Sequence, residues 1–91
     1  MKYSLEFSKR ADRDISSLKK TDPIAFKKLR KLLGELTEHP YSGTGKPELL
    51  KYDYAECYSR RINSKHRLVY SVREELVTVY IIAAIGHYND K

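Results

Sequence analysis

The spacing of apolar residues changes once along this chain of 91 residues, and that change limits the fold more than any other feature. Between residues 8 and 36 the apolar side chains recur every three or four positions, which is typical of amphipathic helices. Beyond a loop at residues 41–46 the period falls to two, which is typical of strands. We therefore expect two helices followed by a run of strands.

The two helices are predicted to form a hairpin. Ser8 is suited to cap the first helix, and Asp22 is suited to cap the second, whose first position is Pro23. His39-Pro40 ends the second helix. The predicted buried faces are Ala11, Ile15 and Leu18 in the first helix and Ala25, Phe26, Leu29, Leu32, Leu33 and Leu36 in the second.

Residues 2–7 alternate as a half-buried strand, and residues 60–62 and 67–72 predict a β-hairpin that turns at residues 63–65. Residues 76–85 are apolar on both faces, which predicts a central strand. The order β-α-α-β-β-β implies one α+β domain over residues 1–91. Its N-terminal strand and helical hairpin pack on one face of a mainly antiparallel sheet. The opposite face is then free to bind a ligand.

Net charge and composition narrow the class of partner. A net charge of +6 favours a polyanion such as nucleic acid, although a solvated basic surface kept for solubility explains the charge equally well. No apolar run is long enough to span a bilayer and no signal core begins the chain, so we expect a cytoplasmic protein. The single cysteine, Cys57, fits a reducing compartment.

Arginines are predicted to gather on the free face of the sheet. Leu68 and Tyr70 should face the helices, which leaves Arg67 on the opposite face. An odd-length turn in the hairpin adds Arg61 to that face, whereas an even-length turn adds Arg60. Clustered guanidinium groups repel one another unless an anion such as a phosphodiester lies between them. The alternative is that they are solvated or paired with Asp53 and Glu56.

Glu48 and His87 are the predicted base and acid of an RNA cleavage reaction. RNA carries its own nucleophile, the 2′-OH, so cleavage needs a base, an acid and positive charge around the phosphate. Glu48 lies between Lys46 and Lys51 in sequence, and the His87 imidazolium is available near neutral pH. The alternatives are a surface ion pair of Glu48 with Lys51 and a tail position for His87.

Tyrosines are predicted to stack on RNA bases, with Tyr58 and Tyr88 as the candidates. Tyr3 and Tyr70 are interpreted instead as core side chains. No metal or other cofactor is expected, because the three histidines are isolated in sequence and Cys57 has no partner at ligand spacing.

The C-terminal half resembles toxins of the RelE/ParE superfamily, and within it the YoeB branch of mRNA interferases. The matching segments are Gly43-x-Gly45-Lys46-Pro47-Glu48-x-Leu50-Lys51, Tyr58-Ser59-Arg60-Arg61-Ile62, His66-Arg67-Leu68-Val69-Tyr70 and His87-Tyr88. The N-terminal half resembles the superfamily only in layout, as a strand followed by a helical hairpin.

This resemblance implies an endoribonuclease that cuts mRNA in the ribosomal A site and is held inactive by an acidic antitoxin. It implies a base at Glu48, phosphate stabilisation by Arg67, and an acid and substrate positioner at His87 and Tyr88. Further phosphate contacts are implied at Lys51 and at Arg60 or Arg61, and the family also has a lysine at Lys46. Homodimers occur in the branch, and no membrane partner is implied.

The chain differs from that family pattern at several positions. Tyr58 stands where tryptophan is usual and Glu56 where glycine is usual, and Ile85-Gly86 replaces an arginine and an aromatic residue. Two other functions remain open at this point. One is a non-catalytic ParE-like toxin that binds a protein target such as gyrase, and the other is a basic module that only binds nucleic acid.

Overall fold

A computed structural model describes residues 2–45, 47–50 and 56–86 of the chain. Its elements are β1 (Ser4–Phe7), α1 (Lys9–Thr21), α2 (Pro23–Leu36), β2 (Glu48–Leu49), β3 (Tyr58–Arg61), β4 (Arg67–Arg73) and β5 (Thr78–Ala83), with a 3₁₀ turn at Glu74–Leu76. The strands form one sheet in the order β1-β5-β4-β3-β2. The predicted α+β architecture is confirmed.

Both helices begin where the sequence predicts. The Ser8 hydroxyl accepts from the N–H of Ala11 at 2.9 Å, and the Asp22 carboxylate accepts from the N–H of Ala25 at 3.2 Å. Pro23 is the first residue of α2. Each cap satisfies a backbone donor that the first helical turn leaves without a partner.

The sheet is mainly antiparallel, as predicted, with one parallel pair of strands. β1 runs parallel to β5, while the β5–β4, β4–β3 and β3–β2 pairs are antiparallel. β5 is an interior strand, flanked by β1 and β4, which agrees with its apolar sequence, but it is shorter than the apolar run at residues 76–85. Leu76 lies in the 3₁₀ turn and is largely exposed. The two-residue strand β2 was not predicted.

The helices cover one face of the sheet and build the main core there. Tyr70 is fully buried in it, and Tyr3 packs against it, as expected for core tyrosines. The fully or almost fully buried side chains of this main core are Ala11, Leu18, Ala25, Leu29, Leu32, Leu36, Ile62, Leu68, Tyr70, Val79, Ile81 and Ala84.

The opposite face is only partly free. Leu50, which follows β2, packs with Val69 and Ala83 in a second, smaller cluster, so Val69 is fully buried on this face. The expectation of a free face is therefore wrong at Val69. It holds at the start of β4, where a cleft opens beside Arg67.

Within the described residues, no helix is long and apolar enough to cross a membrane.

Candidate active site

A cleft of about 190 Å³ opens at the end of the sheet where β3 turns into β4. It is lined by Gly45, Pro47, Glu48, Arg61 and Arg67. Three of these five residues are charged, one negatively and two positively. The cleft therefore offers a proton acceptor next to two fixed cations.

The hairpin turn decides which arginine joins Arg67. Five residues separate β3 from β4, and Arg61 pairs directly with Arg67 across the two strands. The Asn63 carboxamide oxygen accepts from the N–H groups of Lys65 and His66, both at 2.8 Å, which holds the turn closed. Since directly paired residues project to the same side of a sheet, Arg61 shares the face of Arg67.

Glu48 reaches the same face from β2. It pairs with Ser59 across β2 and β3. The guanidinium nitrogen Nη1 of Arg67 lies 3.4 Å from Glu48 Oε1 and 3.2 Å from Ser59 Oγ. Arg67 is largely enclosed, with 15% of its side chain exposed, whereas Glu48 is 54% exposed. A long ion pair with such an exposed carboxylate is weak, so Glu48 remains available to a substrate.

Gly45 lets the loop before β2 lie directly on β3. Its φ is +86°, in the left-handed region, and its carbonyl accepts from the N–H of Arg61 at 2.8 Å. A Cβ at this position would lie 2.9 Å from the Arg61 carbonyl oxygen. Only glycine satisfies both the dihedral and the close approach. This contact fixes the chain three residues before Glu48.

Arg60 lies on the other face of the sheet, and the expectation that it contacts a phosphate is wrong. Its side chain is fully buried among the helices and the loop that follows α2. It donates to the Tyr70 hydroxyl at 3.1 Å and to Glu35 Oε1 at 3.0 Å. Its other acceptors are the backbone carbonyls of His39, Ser42 and Thr44.

Thr44 completes this buried arrangement. Its N–H and its hydroxyl donate to the two oxygens of the Glu35 carboxylate at 2.9 and 2.7 Å. These bonds, together with the charge of Arg60, lower the pKa of Glu35 below its ordinary value. Glu35 and Arg60 thus fasten the loop at residues 39–44 to the sheet, just ahead of Gly45.

Tyr58 also lies on the helix-covered face, so the expectation that it stacks on an RNA base is wrong. Its ring is stacked on that of Tyr70, with centroids 5.8 Å apart and an interplanar angle of 20°. The rings of Tyr41 and Tyr58 form a T-shaped pair, with centroids 5.5 Å apart. The aromatic side chain that often precedes Ser-Arg-Arg in the resembled family therefore serves packing here.

The remaining predicted site residues, Lys46, Lys51, His87 and Tyr88, lie outside the described residues. The described chain does end beside the cleft, because the Gly86 carbonyl accepts from the N–H of Arg67 at 3.1 Å. Among the described residues, no group of three or more His, Cys, Asp and Glu side chains is placed to hold a metal ion.

Sequence reasoning missed two neighbours of the charged residues. Ser59 contacts Arg67, and the pairing register that brings them together depends on the turn length that the sequence left open. Gly45 was noted only as part of a motif, and its close approach to Arg61 depends on a pairing of loop and strand that has no local sequence signal.

Comparison with known proteins agrees with the resemblance of the C-terminal half and extends it to most of the chain. Residues 7–88 match the family model described as a YoeB-like toxin of bacterial type II toxin–antitoxin systems. Toxin YoeB of Escherichia coli strain K12 is 40% identical over 68 residues, which are 75% of this chain and 79% of that protein.

Two solved structures from Staphylococcus aureus share the fold. The chain superposes on the toxin of a YoeB-YefM complex with a TM-score of 0.82 and 34% identity, covering 97% of this chain and 100% of that one. It superposes on a YoeB dimer with a TM-score of 0.83 and 35% identity, with the same coverage. The match over residues 7–88 and the shared fold place the chain in the family of YoeB-like toxins of bacterial type II toxin–antitoxin systems.

Proposed function

We propose that this chain is an endoribonuclease that cleaves mRNA in the ribosomal A site by attack of the 2′-OH on the neighbouring phosphodiester. The observation that carries the proposal is the juxtaposition of Glu48 with Arg67, 3.4 Å apart, in a cleft that Arg61 also lines. A carboxylate fixed beside two cations suits a reaction that removes a proton while negative charge grows on a phosphate.

In the proposed reaction Glu48 takes the proton of the 2′-OH, and the resulting oxygen attacks phosphorus. Arg67 and Arg61 neutralise the charge that develops on the phosphorane oxygens. His87 donates a proton to the departing 5′-oxygen, and Tyr88 positions the substrate. The products are a 2′,3′-cyclic phosphate, or the 3′-phosphate formed from it, and a free 5′-OH. The chain's own acid and base supply both proton transfers, so the proposed step needs no metal.

The family also supports proposals about partners. A toxin of this kind meets mRNA and ribosomes in the cytoplasm, with Lys46 and Lys51 as further phosphate contacts and residues 1–91 as one toxin domain. An acidic antitoxin is the proposed inhibitor, since a YoeB-YefM complex is among the similar structures. The YoeB dimer from Staphylococcus aureus supports a homodimer.

The proposal is tested by cleavage of mRNA on programmed ribosomes. Glu48→Gln keeps the shape of the side chain and removes the base, so we expect the rate to fall about 10²- to 10⁴-fold. A 2′-O-methyl group on the nucleotide 5′ to the scissile bond should abolish cleavage while binding persists. Glu38→Gln, an exposed substitution away from the cleft, is the matched control and should cleave like wild type.

Unchanged cleavage in Glu48→Gln, or cleavage of the 2′-O-methyl substrate, would contradict the mechanism. A non-catalytic toxin that binds a protein target remains the alternative. It predicts no RNA scission by the wild type and growth arrest that persists in the Glu48→Ala/His87→Ala double variant.

A further inference from the structure

The segment that follows β5 is held by side chains from elsewhere in the chain. After Ala83 the chain leaves the sheet, and the Asp14 carboxylate on α1 accepts from two consecutive backbone amides there. Asp14 Oδ2 lies 2.9 Å from the N–H nitrogen of Ala84 and 3.2 Å from that of Ile85. One carboxylate oxygen thus fixes two successive peptide units.

The next residue is held from the β3–β4 turn. The His66 ring nitrogen Nδ1 accepts from the N–H of Gly86 at 3.1 Å. The Gly86 carbonyl in turn accepts from the N–H of Arg67 at 3.1 Å. Gly86 is therefore hydrogen-bonded to His66, the last residue of the turn, and to Arg67, the first residue of β4, which lines the proposed active-site cleft.

Asp14 is itself oriented for this task. Its side chain is only 14% exposed, and Arg10 approaches it to 3.6 Å from one turn earlier in α1. Arg10 also donates to the Ile85 carbonyl at 3.5 Å. A carboxylate bonded to backbone N–H groups makes charge-assisted hydrogen bonds, which are about twice as strong as neutral ones.

The need of buried backbone N–H groups for hydrogen-bond partners explains only part of this arrangement. Ala84 is fully buried, so its N–H requires a partner. Ile85 and Gly86 are partly exposed, and water could serve their amides. Fixing three successive amides with two side chains from distant elements has a further consequence, because the next residue along the chain is His87.

We propose that Asp14 and His66 are positioning residues, which clasp residues 84–86 against α1 and β4 beside the cleft of Glu48 and Arg67 and so restrict the freedom of the adjacent residue, His87. The inference rests on the proposed function, in which His87 is the acid. A displacement of about 1 Å in a reacting group lowers the rate on the order of 10²-fold. An enzyme whose residues 84–86 were not held in place would therefore cleave RNA slowly.

The clasp makes a specific demand on His66. Its Nδ1 must be unprotonated to accept a hydrogen bond, with the ring proton on Nε2. An asparagine carboxamide oxygen lies near the position of that nitrogen and also accepts. His66→Asn should therefore preserve the clasp, whereas His66→Leu, of similar bulk, should open it.

The first measurement needs no enzymatic activity. Amide hydrogen exchange in the full-length protein should show protection at Ala84, Ile85 and Gly86 in wild type and in His66→Asn. Protection at Gly86 should fall at least tenfold in His66→Leu, and at Ala84 and Ile85 in Asp14→Ala. The amide of Leu29 in the core reports on global stability and should be unchanged, and Asp12→Ala on the exposed side of α1 is the matched control.

The second measurement is a double-variant cycle for cleavage on ribosomes. Asp14→Ala and His66→Leu should each lower kcat by about tenfold or more, with KM changed less than threefold, and His66→Asn should restore most of the rate. In a His87→Ala background neither substitution should lower the rate further, because both act through His87.

Additive losses in the His87→Ala background would overturn the positioning role, as would unprotected amides at residues 84–86 in wild type. Failure of the proposed function looks different. Wild type would then not cleave RNA, while the exchange pattern would still report whether the clasp exists.

Discussion

At the scale of single residues, the backbone of Glu56 holds strain that was not predicted from the sequence. Its φ is +67°, in the left-handed region that costs an ordinary L-residue about 1–2 kcal/mol. The resembled family usually has glycine here, and the observed dihedral explains that preference. The sequence could show the unusual residue type, but only coordinates show the angle.

Replacing Glu56 with glycine should stabilise the fold. The relief of strain exceeds the extra conformational entropy that glycine gives the unfolded chain, so we expect the free energy of unfolding to rise by roughly 0.5–1 kcal/mol. Urea denaturation measures the change. Glu56→Gln removes the same charge and keeps the strain, and should stay close to wild type. If Glu56→Gly and Glu56→Gln were equally stable, the loss of the charge, and not the relief of strain, would explain any difference from wild type.

Arg60 and Arg61 show where residue-level prediction stops. The two are adjacent and chemically identical, and the sequence left open which one faces Arg67. The choice follows from the turn of five residues between β3 and β4, whose length the pattern did not fix. Position on a strand thus gives one arginine a buried structural role and the other a place in the cleft.

At the scale of elements, Arg60 joins α2, β4 and the loop at residues 39–44. Its guanidinium has five N–H donors. The acceptors it meets are the Tyr70 hydroxyl, the Glu35 carboxylate and three backbone carbonyls. The Tyr70 hydroxyl in turn donates a hydrogen bond to the Pro40 carbonyl at 2.9 Å, which ties β4 to the same loop. A fully buried cation is tolerated here because each of its donors has a partner.

Loss of this buried arginine should cost far more stability than loss of its neighbour. Arg60→Met removes the cation beside the Glu35 carboxylate and the donor to three backbone carbonyls, and we expect the free energy of unfolding to fall by about 3 kcal/mol or more. Arg61→Met is the matched control and should change it by less than about 1 kcal/mol. Thermal and urea unfolding of both variants test the difference. Similar losses in the two would contradict the assigned roles.

Glu35 predicts how stability depends on pH. Because its folded-state pKa is lowered, its contribution is fully present above the unfolded carboxyl value of about 4.3. That contribution is lost as pH falls from there through the lower folded pKa. Glu35→Gln should therefore be less stable than wild type at pH 7, and the gap should narrow between pH 5 and pH 3. Urea unfolding across that range tests the prediction, and a constant gap would contradict it.

Local signals predicted the elements well, and long-range pairings poorly. Ser8, Asp22 and Pro23 marked both helix starts, since capping depends on neighbours within one turn. The parallel pairing of β1 with β5 joins strands some seventy residues apart and has no local signature. β2 escaped prediction because two residues are too few to show a period.

At the scale of the whole molecule, the proposed site gathers groups from both halves of the sequence. The C-terminal half supplies Glu48, Arg61 and Arg67. The sequence predicted that Glu48 and Arg67 would meet on one face of the sheet, and it left open whether Arg60 or Arg61 would join them. Asp14 comes from α1, in the half that resembled the family only in layout, and no spacing indicated that it would hold the chain after β5. Positive charge is also spread over both halves, so under the proposed function the cleft and the basic surface of the helices are two candidate sites for RNA.

The salt dependence of RNA binding should show whether the cleft or the basic surface of the helices holds the RNA. For single-stranded RNA the logarithm of the binding constant falls with the logarithm of salt concentration by about 0.7 per phosphate contact. With a 2′-O-methyl RNA that cannot be cleaved, Arg67→Gln should lower the slope by about 0.7, because one phosphate loses its cation. Lys27→Gln, an exposed substitution on α2, should leave the slope nearly unchanged if the cleft holds the RNA. Fluorescence anisotropy between 50 and 300 mM salt measures both slopes. A larger change in Lys27→Gln would place the RNA on the helices and remove the phosphate from the Glu48–Arg67 cleft.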